Sequence, residues 1–246
     1  AADSSEVKLT ATGSNIIQAA DNGYAIKANK NSNVSLDAAA YNYLLGAVYA
    51  SGTGAAVDLI GNQTSSSKTN YVYSTTVIEK AGDLDSSSIV SALYAEDGSS
   101  INLNGESNIL RTHADPNSSA LERVVWAYNG NEKGTAINID GFTSIATDSY
   151  AISSNSQDIA IAAGTATNLS KDAVSTSKNM STEDRAKVIL SYDDFKDASG
   201  NSIKSSISGD ILAAYEGYVD IRSKSSSSGI NITGNLLAGN NGILNV

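Results

Sequence analysis

Cysteine is absent from this 246-residue chain, proline and histidine occur once each, and aromatic residues make up only 6%. Each shortage excludes something. Without Cys there is no disulfide, no thiolate nucleophile and no sulfur ligand for zinc. A chain that must cross a membrane unfolded also gains from having no bridge to lock it early. The lone His113 sits in a polar stretch with no catalytic partner beside it, so a Ser-His or Cys-His nucleophilic pair is not expected. No Gly-x-Ser-x-Gly elbow occurs, and Gly209-Asp210-Ile211 departs from a Gly-Asp-Ser-Gly run at the residue that would attack. No apolar run is long enough to span a bilayer as a helix. Positive charge is short as well. Sixteen Lys and Arg against 26 Asp and Glu leave a net charge of −10, which excludes a nucleic-acid partner.

Carboxylates are plentiful but scattered. The tightest pair is Asp193-Asp194, and on a strand adjacent side chains point to opposite faces, so the two do not share a substrate by themselves. Asp83-Leu84-Asp85 and Glu96-Asp97-Gly98 lack the remaining ligands of a calcium loop. Phosphate-cradling glycine loops followed by Lys-Ser/Thr are missing too. The expectation is a protein that is not an enzyme, with no catalytic residues, no metal site and no cofactor. Tyr49, Tyr94 and Trp126 are read as covering a strand face rather than as a platform for sugars.

What the chain does contain is a recurring phrase: a small-apolar-x-Ala strand, a Gly/Ser/Asn turn, then apolar-x-apolar-x-Gly. Clear copies run from Ala47-Val48-Tyr49-Ala50 to Val57-Asp58-Leu59-Ile60-Gly61, and from Ala92-Leu93-Tyr94-Ala95 to Ile101-Asn102-Leu103-Asn104-Gly105. Others lead from Val125-Trp126-Ala127 to Ile137-Asn138-Ile139-Asp140-Gly141, and from Ala151-Ile152 to Ile159-Ala160-Ile161. Weaker copies are Val34-Ser35-Leu36, Val219-Asp220-Ile221 and Ile230-Asn231-Ile232. The spacing, mostly near multiples of about 22, is that of stacked repeats, none of which buries its own apolar face alone. Period-two alternation turns one side of each strand inward. The expected fold is all-β: a right-handed parallel β-helix with three short strands per coil. About eleven coils at ~4.8 Å would give a rod about 50 Å long. Val57, Leu59, Ile101, Leu103, Ile137, Ile139, Ile159 and Ile161 are its expected core. The single proline fits, because proline removes a ladder donor.

Several stretches break the period and are expected to protrude: Asn62–Asn70, Arg111–Arg123, and an insertion at 168–201 within a single β-helix over 1–246. In the insertion, Ser181-Thr182-Glu183-Asp184 reads as a helix start, with Arg185 to Leu190 continuing one or two turns. A partly helical arm is therefore expected there. The Ala1-Ala2-Asp3-Ser4 start and a last strand cut at Val246 suggest a piece of a longer secreted protein.

The phrases AVYASGTGAAVDLIG, ALYAEDGSSINLNGESNI and AYNGNEKGTAINIDGFTSIA resemble the passenger repeats of type Va autotransporters, above all the AIDA-type self-associating adhesins of Gram-negative bacteria. The resemblance implies a bacterial cell-surface location and anchoring by a C-terminal outer-membrane barrel missing here. It also implies adhesion: cell–cell aggregation, biofilm formation or host attachment. Its partners would be like molecules on neighbouring cells, or a host glycan or protein. A polysaccharide-binding or polysaccharide-degrading β-helix and a passive stalk are the alternatives. The expected binding residues are the middle positions of the apolar-x-apolar strands, Ser35, Asp58, Asn102, Asn138 and Asn231, which alternation turns outward. Two uses of such a column are open: bonding to a partner, or bonding along the rod itself.

Overall fold

Alternating Val, Ile and Leu at every second position are repeated with one strand direction, and the chain stacks them as parallel ladders. The structure, a computed structural model, describes residues 4–20, 23–61, 68–78, 89–114, 121–130, 132–147, 159–165, 181, 183–239 and 241–246. It is all-β, with no helix among the described residues.

The first ladder holds Glu6–Ala11, Asn33–Ala38, Ala56–Gly61, the first halves of Ser100–Thr112 and Ala136–Thr147, then Lys187–Tyr192, Tyr218–Ser223 and Ile243–Asn245. The second holds Ser14–Gln18, Tyr41–Leu45, Thr69–Ser74, the second halves of the same two long strands, Ser205–Ser208 and Ile230–Thr233. The third holds Tyr24–Ala28, Ala47–Ser51, Leu93–Glu96, Leu121–Asn129, Ile159–Thr165, Asp210–Ala214 and Leu236–Gly239. All pairing within these ladders is parallel. Where the two long strands bend from the first ladder into the second, the register shifts between Asn104 and Ser107. Gly141 at that bend has φ +113°, and a Cβ there would meet the Gly105 carbonyl at 1.9 Å, so only glycine fits.

One apolar core draws on all three ladders. The first contributes the columns of Val34, Val57, Ile101, Ile137, Val188 and Val219, and of Leu36, Leu59, Leu103, Ile139, Leu190 and Ile221. The second contributes Leu44, Val72, Leu110, Ile145 and Ile207. The third turns the apolar-x-Ala phrase inward, so that Ala28, Ala50, Ala95, Ala127, Ala163 and Ala213 form a buried column of methyl groups. Seven of the eight expected core residues are buried; the side chain of Ile159 lies outside the described ones.

Three expectations are corrected. The phrases at Ile159 and Ile230 do not continue the first ladder: Ile159–Thr165 stands in the third and Ile230–Thr233 in the second. Ile101 pairs directly with Val57, and Ile137 with Ile101, so steps of 44 and 36 residues are single levels. Among the described residues the longest ladder has eight strands, against the eleven or so coils expected. Lengthening a connection costs closure entropy only logarithmically, so excursions between strands vary freely while the pairing holds.

The helix expected from Ser181 to Leu190 is also absent. Asp184 donates its N–H to both the carbonyl and the hydroxyl of Ser181, a local serine turn that imitates a helix cap. Lys187–Tyr192 then runs as a strand, with Val188 and Leu190 inserted between Ile137/Ile139 and Val219/Ile221. Burial on the ladder overrides a weak local helix preference. The second half of the expected arm is thus ladder, followed by a small antiparallel pair, Phe195–Lys196 with Ser202–Ile203. Residues 168–180, the Ala151-Ile152 phrase, Asp83-Leu84-Asp85, 62–67 of the first expected loop and 115–120 of the second lie outside the described residues.

Candidate functional site

The first ladder's outer face carries the column expected to bind. Register places Ser35, Asp58, Asn102 and Asn138 directly beside one another on successive strands, each half-buried. Asn102 donates to Asp58 Oδ1 at 2.8 Å, and Asn138 donates to Asn102 Oδ1 at 2.8 Å. Below them the column continues through Ile189, Asp220 and Asn245. Asn231 does not belong to it. It is exposed on the second ladder, in line with Ser206 and Ser144. Alternation tells which side of a strand faces out, but the same apolar-x-apolar pattern serves two ladders. A primary amide has two N–H donors and two acceptor lone pairs, so one bond up and one bond down uses half its capacity. Beside this column, Asp140 pairs with Lys224 at 2.7 Å, and Arg222 donates to Ser191 at 3.2 Å. The face is largely polar and of mixed charge.

A second asparagine column is buried at Asn42, Asn70 and Asn108 and half-buried at Asn15. Asn15, Asn42, Asn70 and Asn108 occupy matched positions where the chain turns from the first ladder into the second. Each amide donates to the next, at 3.0, 2.9 and 2.9 Å, and Asn108 donates to the Asp140 carbonyl at 2.9 Å. Asn42 and Asn70 also reach the carbonyls of Ile60 and Leu59, both at 3.3 Å. At this corner the register shifts, and the amides supply donors to the carbonyls of Leu59, Ile60 and Asp140. Sequence reasoning missed this column. Its signal is the repeat Asn15-Ile16-Ile17, Asn42-Tyr43-Leu44, Asn70-Tyr71-Val72, Asn108-Ile109-Leu110, an asparagine two places before each inward aliphatic.

The aromatic residues do stack on a strand face. Tyr24 and Tyr49 lie 5.0 Å apart, Tyr49 and Tyr94 5.3 Å, and Tyr94 and Trp126 4.5 Å, along the third ladder. Ile78 and Ile89 cover Tyr94 and Trp126 as a second outer layer. Glu96 accepts the hydroxyls of Tyr49, Tyr94 and Ser51. Burial first, and then Glu96, push the Tyr49 and Tyr94 phenols above their usual range. Lys27 lies 5.2 Å from the centres of both the Tyr24 and Tyr49 rings, and Arg123 lies 4.7 Å from that of Trp126. Burial lowers the Arg123 pKa. These contacts hold an outer layer in place.

A smaller stack, Tyr43 on Tyr71 at 4.7 Å and 2°, lies on the second ladder. Ile16, Ala40, Tyr41 and Thr69 join it around an open apolar groove of about 530 Å³. With the rings stacked face to face on each other, they offer the groove edges rather than a flat platform.

Asp193 and Asp194 are engaged in holding a turn. Asp193 accepts from Ser228, and its carbonyl accepts from Ser205 at 2.9 Å. Asp194 accepts from the Gly229 N–H at 3.0 Å and the Ser202 hydroxyl at 2.8 Å, which lower its pKa in that order. Among the described residues no three His, Cys, Asp or Glu side chains gather as a metal site would require. No protein-family model, curated protein or solved structure matches the chain.

Proposed function

We propose that this chain is a right-handed parallel β-helix from a bacterial cell-surface adhesin, held at the outer membrane by a C-terminal barrel. Three parallel ladders sharing one core support the β-helix, since strand-to-parallel-strand crossovers are almost always right-handed. The observation that supports the adhesive role is the polar outer column of the first ladder. Ser35, Asp58, Asn102 and Asn138 stand there in one half-buried column, and the two amides have hydrogen-bonding capacity beyond the bonds they make along it. Each bond to a matching column contributes only about 0.5–1.5 kcal/mol, yet many rungs engaged together hold two cell surfaces reversibly.

The test displays the chain on cells and follows aggregation. Asn102→Lys with Asn138→Lys is expected to abolish clumping while circular dichroism remains that of a β-sheet protein. Clumping that persists on an intact fold would sink the reading.

A further inference from the structure

We propose that the aromatic layer of the third ladder is a relay for one-electron oxidation, carrying an electron vacancy from Trp126 to Tyr94 and Tyr49 with Glu96 as the proton acceptor. Trp126 is the chain's one tryptophan and is 2% exposed. Parallel register sets Tyr49, Tyr94 and Trp126 side by side on successive strands, one ring per level. The Trp126 and Tyr94 ring centres lie 4.5 Å apart, and Tyr94 stacks on Tyr49 at 5.3 Å and 12°. Aromatic faces in such contact exchange electrons directly. Ile78 and Ile89 close over Trp126 and Tyr94, so a vacancy at the indole meets a neighbouring ring before it meets water.

Charge gives the relay its direction. The Arg123 guanidinium lies 4.7 Å from the Trp126 ring centre, and a second positive charge on the indole is disfavoured beside it. At the two tyrosines the neighbour is a carboxylate. Tyr49 donates its hydroxyl to Glu96 Oε1, and Tyr94 donates to Oε2. An oxidised phenol is a strong acid and passes its proton at once to a base already bonded to it. Lys27 stands 5.2 Å from the Tyr49 ring centre and would oppose a cation there. Transfer of the proton together with the electron leaves a neutral phenoxyl, which Lys27 does not repel.

The steps balance. A one-electron oxidant takes an electron from Trp126 and leaves the indole radical cation. Tyr94 then supplies an electron to Trp126 and its hydroxyl proton to Glu96 Oε2. That restores the indole and leaves a Tyr94 phenoxyl beside a protonated Glu96. Next, Tyr49 supplies an electron to Tyr94 and a proton to Oε1, while Oε2 returns its proton to the Tyr94 oxygen. One carboxyl group with a phenol on each oxygen thus passes the vacancy from the buried Tyr94 to the half-buried Tyr49, and carries one proton throughout. There a soluble thiolate or ascorbate supplies the missing electron, and the proton on Glu96 returns to the phenoxyl oxygen. No bond forms between residues, and the tryptophan is spared. The relay does not depend on adhesion by the outer face.

Flash photolysis tests it. Light at the red edge of the indole absorption, where tyrosine does not absorb, ejects an electron from Trp126, and dissolved pentaamminechlorocobalt(III) captures it. In the wild-type protein the indole-radical absorption is expected to decay as phenoxyl absorption grows, at one rate that is independent of protein concentration. Both should slow in deuterium oxide, because a proton moves in the step. Tyr94→Phe keeps a ring in the stack but offers no phenol, and phenoxyl growth should fall at least about tenfold. Glu96→Gln keeps the shape of the side chain but removes the base, and should slow the transfer about tenfold. Tyr43→Phe, in the separate stack on the second ladder, should leave the rate unchanged. The isotope measurement needs no substitution, so the test stands even where a variant fails to fold. An indole radical that decays with no phenoxyl growth overturns the proposal, as does an undiminished rate in Tyr94→Phe. Rates unchanged by both Glu96→Gln and deuterium oxide overturn the assignment of Glu96 as proton acceptor.

Discussion

The two asparagine columns lie on different ladders and differ in burial. Asn42, Asn70 and Asn108 are buried, and their amides are the donors that the corner carbonyls and the neighbouring amides depend on. Asn102 and Asn138 make the same amide-to-amide bond with water within reach. A group whose lost partner can turn to water costs little to remove. A buried group left unpaired costs its full desolvation. The inner column is therefore a structural element, and the outer one is free to take another partner.

Breaking the inner column and opening the aromatic layer are expected to have the two largest effects. Asn70→Ala takes the side-chain partner from one N–H of Asn42, from Asn108 Oδ1 and from the Leu59 carbonyl, and should cost about 3 kcal/mol, read as a fall in the urea midpoint. A loss below about 1 kcal/mol would mean that water enters the corner. Trp126→Ala, which opens the aromatic layer under Ile78 and Ile89, is expected to cost about 3–5 kcal/mol by the same measurement. The outer column should respond in the opposite sense: Asn102→Ala costs about 1 kcal/mol or less, while the cell-clumping signal drops. An equal stability loss at Asn70 and Asn102 would erase the distinction between the columns.

Acid gives the smallest effect and acts at a third place. The folded protein depresses the Asp194 and Asp197 carboxyls, the first through Gly229 and Ser202, the second through Asn201. Their contribution is present above the unfolded carboxylate pKa of about 3.9 and is lost as pH falls through the depressed values. Amide exchange around 194–203 should therefore quicken below about pH 4, with the inner asparagine column still protected, because its amides do not titrate. Asp194→Asn should produce the same loosening at neutral pH.

Much of this was legible in the chain. Val34/Leu36, Val57/Leu59, Ile101/Leu103 and Ile137/Ile139 turn inward as their alternation requires, and Ser35, Asp58, Asn102 and Asn138 turn outward in one column. Tyr49, Tyr94 and Trp126 cover a strand face as their place beside the apolar-x-Ala strand suggested. Asn231 was drawn into the wrong column because its flanks, Ile230 and Ile232, look like any other rung. The buried asparagines escaped notice because a polar residue in a Ser- and Asn-rich sequence does not announce that it points inward.

The sequence by itself determined the period-two alternation, the parallel all-β character and the supply of small turn residues, all of which depend on a few neighbouring positions. Only the tertiary structure decided which ladder each phrase joins. It also decided that Lys187–Tyr192 is a strand and that Ile78 and Ile89 fold back over the aromatic stack. These outcomes depend on how many residues the chain spends between strands. That length carries only a logarithmic cost in free energy, so no local pattern records it.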